Sequence, residues 1–402
     1  MAYEAQLASF FRDTVDIPQI LEGFTDIRTH PRIAMRDILM SVFLMPVWGV
    51  SALLQLDFRL RTPKMLSLFR CRRSKNVVVS DTTIARVLHD VDSGESRRAL
   101  LAAWPALNTK GLLQGELRPH GPSRRLGVFD GSEMGGHYLV AALLVGKINY
   151  PLLVEPCAGR GHELKTTQQW LPFIHQQLGR CAPQLWLFDA LYFNQSTFKT
   201  VRDQQAHLLI KCGPGDKDAP LFRDVLQDAK ALFTASSSAV EPVEAEAGFD
   251  SQRWCSWSMK KTSAEFAGYP VNVFFLTEDY PKRKKNAHVE AWIVTTDLSL
   301  DFIEAREAAH LRWHIENHEF KRLSHLAGTK TVYFKDRRCF FALLRLFCLA
   351  LTAFDAFFAI VQQTGHAMKA LMQGCKFTWK AAFSQLGWLE EGSFEFLVTA
   401  GG

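Results

Sequence analysis

The sequence Leu-Trp-Leu-Phe-Asp at residues 185 to 189 is a run of apolar side chains that ends on a carboxylate. This pattern is typical of a buried strand whose last residue points into a polar site. The sequence Val-Phe-Asp-Gly at residues 128 to 131 shows the same change from apolar residues to an aspartate. We therefore predict two buried strands that deliver the side chains of Asp130 and Asp189 to one polar site.

The segments around these strands predict the order of the fold. Three short apolar runs separated by glycine-containing turns indicate a three-stranded meander; they are Leu126–Asp130, Tyr138–Val145 and Ile148–Glu155. A helical stretch, the strand ending at Asp189, a second helix and a strand at His207–Cys212 follow. This is the order of the ribonuclease-H-like fold, in which the first and fourth strands are neighbours. We expect an α/β fold with such a mixed sheet flanked by helices, and Asp130 beside Asp189.

A third carboxylate lies in a helical pattern later in the chain. In Leu311–Glu316, helical spacing puts the cationic Arg312 and the aromatic Trp313 on the same side as Glu316. An isolated glutamate of this kind is usually a surface or salt-bridged residue. It becomes a candidate here because two strands already end on aspartates. Glu319 shares the same face and is the rival third acid; the neighbouring arginine and tryptophan favour Glu316.

Composition excludes several classes of protein. A chain of 402 residues that are 48% apolar can bury a large core, so it is not a disordered protein. The eight cysteines include no Cys-x-x-Cys pair, and the first residues do not resemble a secretory signal. We expect reduced thiols in a cytoplasmic protein rather than a disulfide framework or a zinc site.

Two apolar stretches approach the length of a membrane-spanning helix. Residues 38–56 carry no charge, but Pro46 and Gly49 interrupt them and favour two short buried helices. Residues 339–361 contain Arg345 and Asp355. We therefore expect no membrane association.

Pattern changes along the chain predict its domains. Apolar residues at helical spacing dominate the N-terminal part, and alternating strand-like stretches recur between residues 252 and 296. We predict five regions: a helical, DNA-binding domain at residues 1–122; the first part of a catalytic domain at 123–212; a β-rich insertion at 213–290; the remainder of the catalytic domain, with the Glu316 helix, at 291–335; and a C-terminal helical region at 336–402.

Basic residues are bunched rather than spread along the chain. The net charge is only +6, but Arg59–Lys75 holds seven basic residues and no acid. Such a patch attracts nucleic-acid phosphates, although a solvated surface that keeps the protein soluble is the alternative. A second cluster lies in the turn between two predicted strands of the insertion. The candidate DNA contacts in these clusters are Arg70, Arg72, Arg73, Lys75, Lys282, Arg283, Lys284 and Lys285.

Three acids on separate elements suit one kind of chemistry. Mg²⁺ prefers hard oxygen ligands and is usually held by a few carboxylates, water and substrate phosphate. Two such ions can support an in-line displacement at phosphorus by water or by a DNA 3′-hydroxyl. We predict that Asp130 bridges two Mg²⁺ ions, for which Mn²⁺ would substitute, and that Asp189 and Glu316 each hold one.

The same residues resemble a known family. The chain is similar to the DDE transposases of bacterial insertion sequences, and most similar to their insertion-sequence-four-like group. The resemblance is carried by Asp130–Gly131, by Asp189–Ala190 with Tyr192, by Arg312–Trp313 with Ile315–Glu316, and by Thr295–Asp297 before the last helix. It implies cleavage at element ends and strand transfer into target DNA, Mg²⁺ dependence, recognition of terminal inverted repeats, and a homodimer in the DNA complex.

The chain also departs from that group. In the signature Tyr-x2-Arg-x3-Glu-x6-Lys, Arg312 and Glu316 match, but Ala309 stands at the Tyr position and Leu323 at the Lys position. Lys321 and Arg322 lie next to the latter and are candidate phosphate contacts. These departures motivate two alternatives: a catalytically impaired, DNA-binding descendant of a transposase, and a ribonuclease-H-like nuclease without strand transfer.

Other candidates are weaker. Members of the group stack an extruded base on an aromatic residue of the insertion, and Trp292 occupies the corresponding place, although a strand tryptophan is more often part of the core. His137, His162 and Glu163 lie near Asp130 or at a helix start, and their roles stay open. The histidines at 310, 314 and 318 are spaced four apart, as in a transition-metal site, but have no cysteine partners.

Overall fold

A computed structural model describes residues 7–47, 50, 52–53, 55–56, 79–113, 124–213, 243–245, 255–280, 288–312, 320, 323 and 334–364. Its strands are β1 (Leu126–Met134), β2 (His137–Val145), β3 (Tyr150–Pro156), β4 (Leu185–Asp189), β5 (His207–Cys212), β6 (Val243–Ala245), β7 (Cys255–Phe266), β8 (Tyr269–Asp279) and β9 (His288–Thr295). They form a nine-stranded mixed sheet in the order β3-β2-β1-β4-β5-β9-β8-β7-β6.

Helices flank this sheet. Those of eight or more residues are α2 (Met35–Val47), α3 (Asp81–Asp90), α4 (Ser93–Ala102), α6 (Glu163–Leu178), α7 (Gln195–Asp203), α8 (Phe302–Leu311) and α9 (Arg337–Thr364); the shorter ones are α1 (Ile17–Glu22) and α5 (Trp104–Thr109). A π-helical turn at Phe10–Thr14 precedes α1. The helix α3 begins after Ser80, whose hydroxyl accepts the Thr83 backbone N–H, as in an N-cap.

The structure confirms the predicted α/β class and the mixed sheet flanked by helices. The strands β1 and β4 are parallel neighbours, with Leu126 opposite Leu185 and Val128 opposite Leu187. The predicted insertion supplies β6 to β8, which continue the same sheet through β9. Because β9 runs across residue 290, the predicted domain boundary falls inside a strand. Of the helix predicted to carry Glu316, the structure describes α8 up to Leu311; residues 313–319 lie outside the described part.

A glycine on β1 makes room for a tryptophan on β4. A Cβ atom on Gly127 would lie 2.4 Å from two ring atoms of Trp186, its partner in the register. Gly127 therefore leaves the space that the buried indole fills. On the same face, the rings of Phe129 and Phe188 are nearly parallel, with centroids 6.0 Å apart. The two strands thus stay in register up to the residues before the aspartates.

The helix α9 is the central packing element for the N-terminal helices. It packs against α2, α3, α4 and β3. Its segment Arg337–Ile360 is long and apolar enough to cross a membrane, but 83% of the most apolar window is buried inside the fold. A mostly buried helix of this kind is consistent with the core of a soluble protein.

A buried ion cluster joins α9 to the sheet and to α4. Glu155 of β3 accepts hydrogen bonds from Arg97 at 2.6 and 3.0 Å and from Arg345 at 2.7 Å. Arg345 also donates to the Val154 carbonyl and to the Ser96 hydroxyl. The side chains of Glu155 and Arg345 are 1% and 2% exposed. Three segments that are distant in sequence therefore share one desolvated network.

We expect Arg345→Met to lower the free energy of unfolding by about 3 kcal/mol, because it leaves buried acceptors without one of their donors. Urea unfolding followed by circular dichroism measures this change. The control is Arg338→Met, an exposed site on the same helix, which should stay within about 0.5 kcal/mol of the parent chain. Equal stability of the two variants would contradict the role given to the cluster.

A histidine links α6 to β4. The Trp186 indole donates to Nε2 of His175 at 3.0 Å. Burial lowers the pKa of His175 to about 4, so the imidazole is neutral at pH 7 and its Nε2 can accept. An unfolded chain, in which histidine titrates near its ordinary pKa of about 6.5, binds more protons than the folded protein between pH 6.5 and 4.

Stability should therefore fall as the pH drops from about 6.5 to 4. His175→Gln keeps an acceptor at the same distance along the side chain but does not titrate. We expect this variant to lose part of the pH dependence in that window, measured as the melting temperature at half-unit pH steps. Identical pH profiles for the parent chain and the variant would rule out His175 as a source of the acid sensitivity.

Candidate active site

The two strand-terminal aspartates are neighbours in the sheet. The β1–β4 register, continued by two residues beyond Val128 and Leu187, places Asp130 beside Asp189. Since side chains alternate along a strand, both carboxylates leave the sheet on the same face. Asp130 is only 6% exposed. The predicted juxtaposition of these two acids follows from the observed pairing.

Backbone N–H groups hold each aspartate in place. Oδ1 of Asp130 accepts from the Gly131 N–H at 2.9 Å. Oδ1 of Asp189 accepts from the Leu191 N–H at 3.0 Å and so caps a short 3₁₀ turn at Ala190–Tyr192. An oxygen fixed in this way orients the whole carboxylate, since its second oxygen can then point in few directions.

A further carboxylate lies against Gly131, the residue after Asp130. Glu163 is the first residue of α6, and a Cβ atom on Gly131 would lie 2.4 Å from its Cγ. Oε2 of Glu163 is buried and makes no hydrogen bond to the described residues. The sequence left the role of Glu163 open. The structure brings it against the residue that follows Asp130, and Gly131 is the residue that makes room for it.

Tyr192 is a buried residue whose pKa is raised by the charges of three acids. Its side chain is 1% exposed, and its hydroxyl lies 3.1 Å from Oγ1 of Thr167. Burial raises the pKa of Tyr192, and the negative charges of Asp189, Asp130 and Glu163 raise it further. The phenol is therefore neutral at any physiological pH. The hydroxyl therefore adds no charge to the site.

Arg312 brings positive charge to the pair. Its guanidinium lies 3.9 Å from Oδ2 of Asp130, and its side chain is 12% exposed. It follows directly after α8, at the C-cap position of that helix. An arginine at this position offsets the charge of a mostly buried carboxylate, and it can also contact a phosphate.

A second group of charges, which the sequence did not predict, lies beside the site. Glu278 of β8 is 1% exposed and pairs with Arg306 at 2.7 Å and with Nε2 of His310 at 2.8 Å. Lys211 lies opposite Asp189 in the β4–β5 register. A lysine within the apolar strand His-Leu-Leu-Ile-Lys-Cys was a signal in the sequence, whereas nothing around Glu278 marked it.

The charges in this group depend on one another. Burial raises the pKa of Glu278, but the hydrogen bond from His310 and the charges of His310, Arg306 and Lys211 outweigh burial and lower it to about 2. Burial lowers the pKa of Lys211, an effect that the charge of Glu278 opposes. His310 also has a lowered pKa, with burial as the main cause. The carboxylate of Glu278 is thus the anionic centre of the group.

Several predicted site residues lie outside the described residues. They are Glu316, the rival acid Glu319, Lys321, Arg322, the basic residues Arg70, Arg72, Arg73 and Lys75, and those at 282–285. Within the part of the chain that the structure describes, no group of three or more His, Cys, Asp and Glu side chains is arranged to hold a metal ion. Of the three predicted ligands, Asp130 and Asp189 lie in the described part, and their carboxylates are oxygen donors of the kind that Mg²⁺ prefers.

Three other positions are buried. Trp292 is 3% exposed and packs on Phe275 with ring centroids 4.6 Å apart, which corresponds to the core alternative rather than to base stacking. Ala309 is fully buried, and Leu323 is 4% exposed. Leu323 lines a small apolar cavity together with Leu344 of α9. The two departures from the transposase signature are thus apolar residues in apolar surroundings.

No protein-family model matches this chain, and a comparison with curated proteins finds no match either.

The contact between Gly131 and Glu163 can be tested by substitution. Gly131→Ala should lower the free energy of unfolding by about 1 to 3 kcal/mol, because the new methyl group overlaps Cγ of Glu163. In a Glu163→Ala background, where Cγ is absent, we expect most of this penalty to disappear. Urea unfolding of the two single variants and the double variant gives the interaction free energy between positions 131 and 163.

Gly159→Ala is the matched control, since the nearest atom to its Cβ is 3.9 Å away. It should leave stability almost unchanged in both backgrounds. Additive losses for Gly131→Ala and Glu163→Ala would show that the two residues do not meet.

Proposed function

We propose that this protein is a DNA transposase of the DDE type, built on a ribonuclease-H-like core. The observation that carries the proposal is the parallel pairing of β1 and β4, which sets Asp130 beside Asp189 on one face of the sheet. The strand order β3-β2-β1-β4-β5 agrees with that core. The third acid of the proposal is Glu316, four residues after Arg312.

In the proposed reaction, the three carboxylates hold divalent cations against a DNA phosphate. When bound, Mg²⁺ supplies charge stabilisation and activates water or a 3′-hydroxyl for attack at phosphorus. Asp130 and Asp189 suit this role because backbone N–H groups already orient them. Preoriented ligands need little rearrangement when the substrate arrives. The guanidinium of Arg312, 3.9 Å from Asp130, is proposed to orient the phosphate.

The DNA partner is inferred from charge. The basic stretch Arg59–Lys75 and the basic turn at residues 282–285 would bind phosphates of the terminal inverted repeats and the target duplex. Two protomers would hold the two element ends, as the resemblance to the transposase family implies. Contacts of this kind make binding weaker at higher salt concentration.

A second candidate function is supported by two buried positions. Ala309 and Leu323 stand where the resembling family has a tyrosine and a lysine, and both lie in apolar surroundings. A DNA-binding descendant that has lost strand cleavage accounts for these residues. It would form stable complexes with repeat DNA without nicking it in Mg²⁺ or Mn²⁺. A nuclease on the same fold would nick the DNA but join no strands.

We expect Asp130→Ala, Asp189→Ala and Glu316→Ala each to reduce strand cleavage by at least a thousandfold, because each removes a cation ligand. DNA affinity should change by less than about threefold. Cleavage of a labelled duplex, made from the DNA that flanks the coding region, measures the first effect, and gel retardation measures the second.

The control is Asp203→Ala, an exposed acid at the end of α7, which should cleave like the parent chain. Full cleavage by any of the three site variants would refute the assignment of that residue. Binding without cleavage by the parent chain would favour the second candidate function.

A further inference from the structure

A buried glutamate of the insertion holds the helix that leads into the candidate site. Glu278 of β8 bonds to Arg306 through two guanidinium nitrogens, at 2.7 and 2.8 Å, and to His310 at 2.8 Å. Arg306 and His310 are one turn apart on α8 and therefore share a helix face. Tyr280 donates to the other carboxylate oxygen of Glu278 at 3.1 Å. The glutamate thus fixes both the position and the rotation of the last turn of α8.

The first turn of α8 is fixed separately. Asp301 and Glu304 form a capping box at its start. Arg124, two residues before β1, pairs with Asp297 at 2.8 Å and lies 3.7 Å from Glu304. One end of the helix is therefore bound to the segment just before β1, and the other end is bound to the inserted strand β8.

The end that β8 holds is the end that carries Arg312. Arg312 is two residues beyond His310, and its guanidinium lies 3.9 Å from Asp130. The predicted third acid, Glu316, follows four residues later in the sequence. Lys211 neighbours Asp189 in the sheet, and the charge of Glu278 raises its pKa while the charge of Arg312 lowers it. A shift of α8 on β8 would therefore move Arg312 relative to Asp130.

We propose that Glu278 is a positioning residue, through which the inserted strands set the geometry of Arg312 against the carboxylate pair. The proposal rests on the proposed function for its catalytic consequence. Its structural consequence, the dependence of the Arg312–Asp130 contact on Glu278, stands independently of activity. The insertion would then complete the site, in addition to any contact that it makes with DNA.

The structural consequence is tested by stability measurements on the full chain. The interaction free energy, or coupling, between Asp130 and Arg312 is measured by urea unfolding of Asp130→Asn, Arg312→Gln and the double variant. The same cycle is repeated in a Glu278→Gln background. We expect the coupling to fall by at least half there. An unchanged coupling would overturn the proposal, whatever the activity of the protein.

The catalytic consequence is tested by steady-state DNA cleavage. Glu278→Gln should lower kcat about tenfold or more with KM for DNA within about twofold, since misplacement of a site residue impairs the reaction rather than binding. In an Arg312→Gln background, Glu278→Gln should cause no further loss. Independent, multiplicative losses in the two backgrounds would overturn the proposed route through Arg312.

Two further sets of variants guard against simple misfolding. Arg306→Gln removes the partner of Glu278 on α8 and should reproduce its effects, whereas Arg306→Lys keeps the charge and should restore at least half of the activity. Glu265→Gln makes the same chemical change at an exposed site of the same hairpin and should behave like the parent chain. If Asp130→Ala cleaves DNA normally, the proposed function fails, and the unfolding cycle still decides the role of Glu278.

Discussion

The parallel contact between β1 and β4 is the constraint on which the candidate site depends. It is set by the fit of the Trp186 indole over Gly127, where a Cβ atom would come within 2.4 Å of the ring. The buried stack of Phe129 on Phe188 continues the contact toward the strand ends. Because side chains alternate along a strand, apolar packing on one face fixes where Asp130 and Asp189 stand on the other.

Two desolvated glutamates join segments that are far apart in the chain. Glu155 connects β3 to Arg97 of α4 and to Arg345 of α9, and Glu278 connects β8 to α8. A buried ion pair gains little net stability over apolar residues, but it is costly to break once formed. Networks of this kind therefore select one arrangement of the helices on the sheet. In this protein, one network anchors the N-terminal helices and the other anchors the segment that carries Arg312.

The candidate site combines fixed carboxylates with a nearby cation. Backbone N–H groups orient both aspartates, and Arg312 lies close to Asp130. The buried Tyr192 is neutral and adds no charge. The orientation of the two acids therefore comes from the backbone at the strand ends, while the compensating charge comes from the residue that follows α8.

Local sequence was enough to predict the apolar strands ending at Asp130 and Asp189 and the order of the strands and helices around them, because hydrophobic periodicity acts over a few residues. It did not reveal the contact of Glu163 with Gly131 or the pairing of Glu278 with Arg306 and His310. Those features depend on which distant side chains meet across the folded sheet, and no short-range pattern encodes such meetings. The sequence by itself thus determined the elements and their two catalytic candidates, while tertiary packing alone decided which charges surround them.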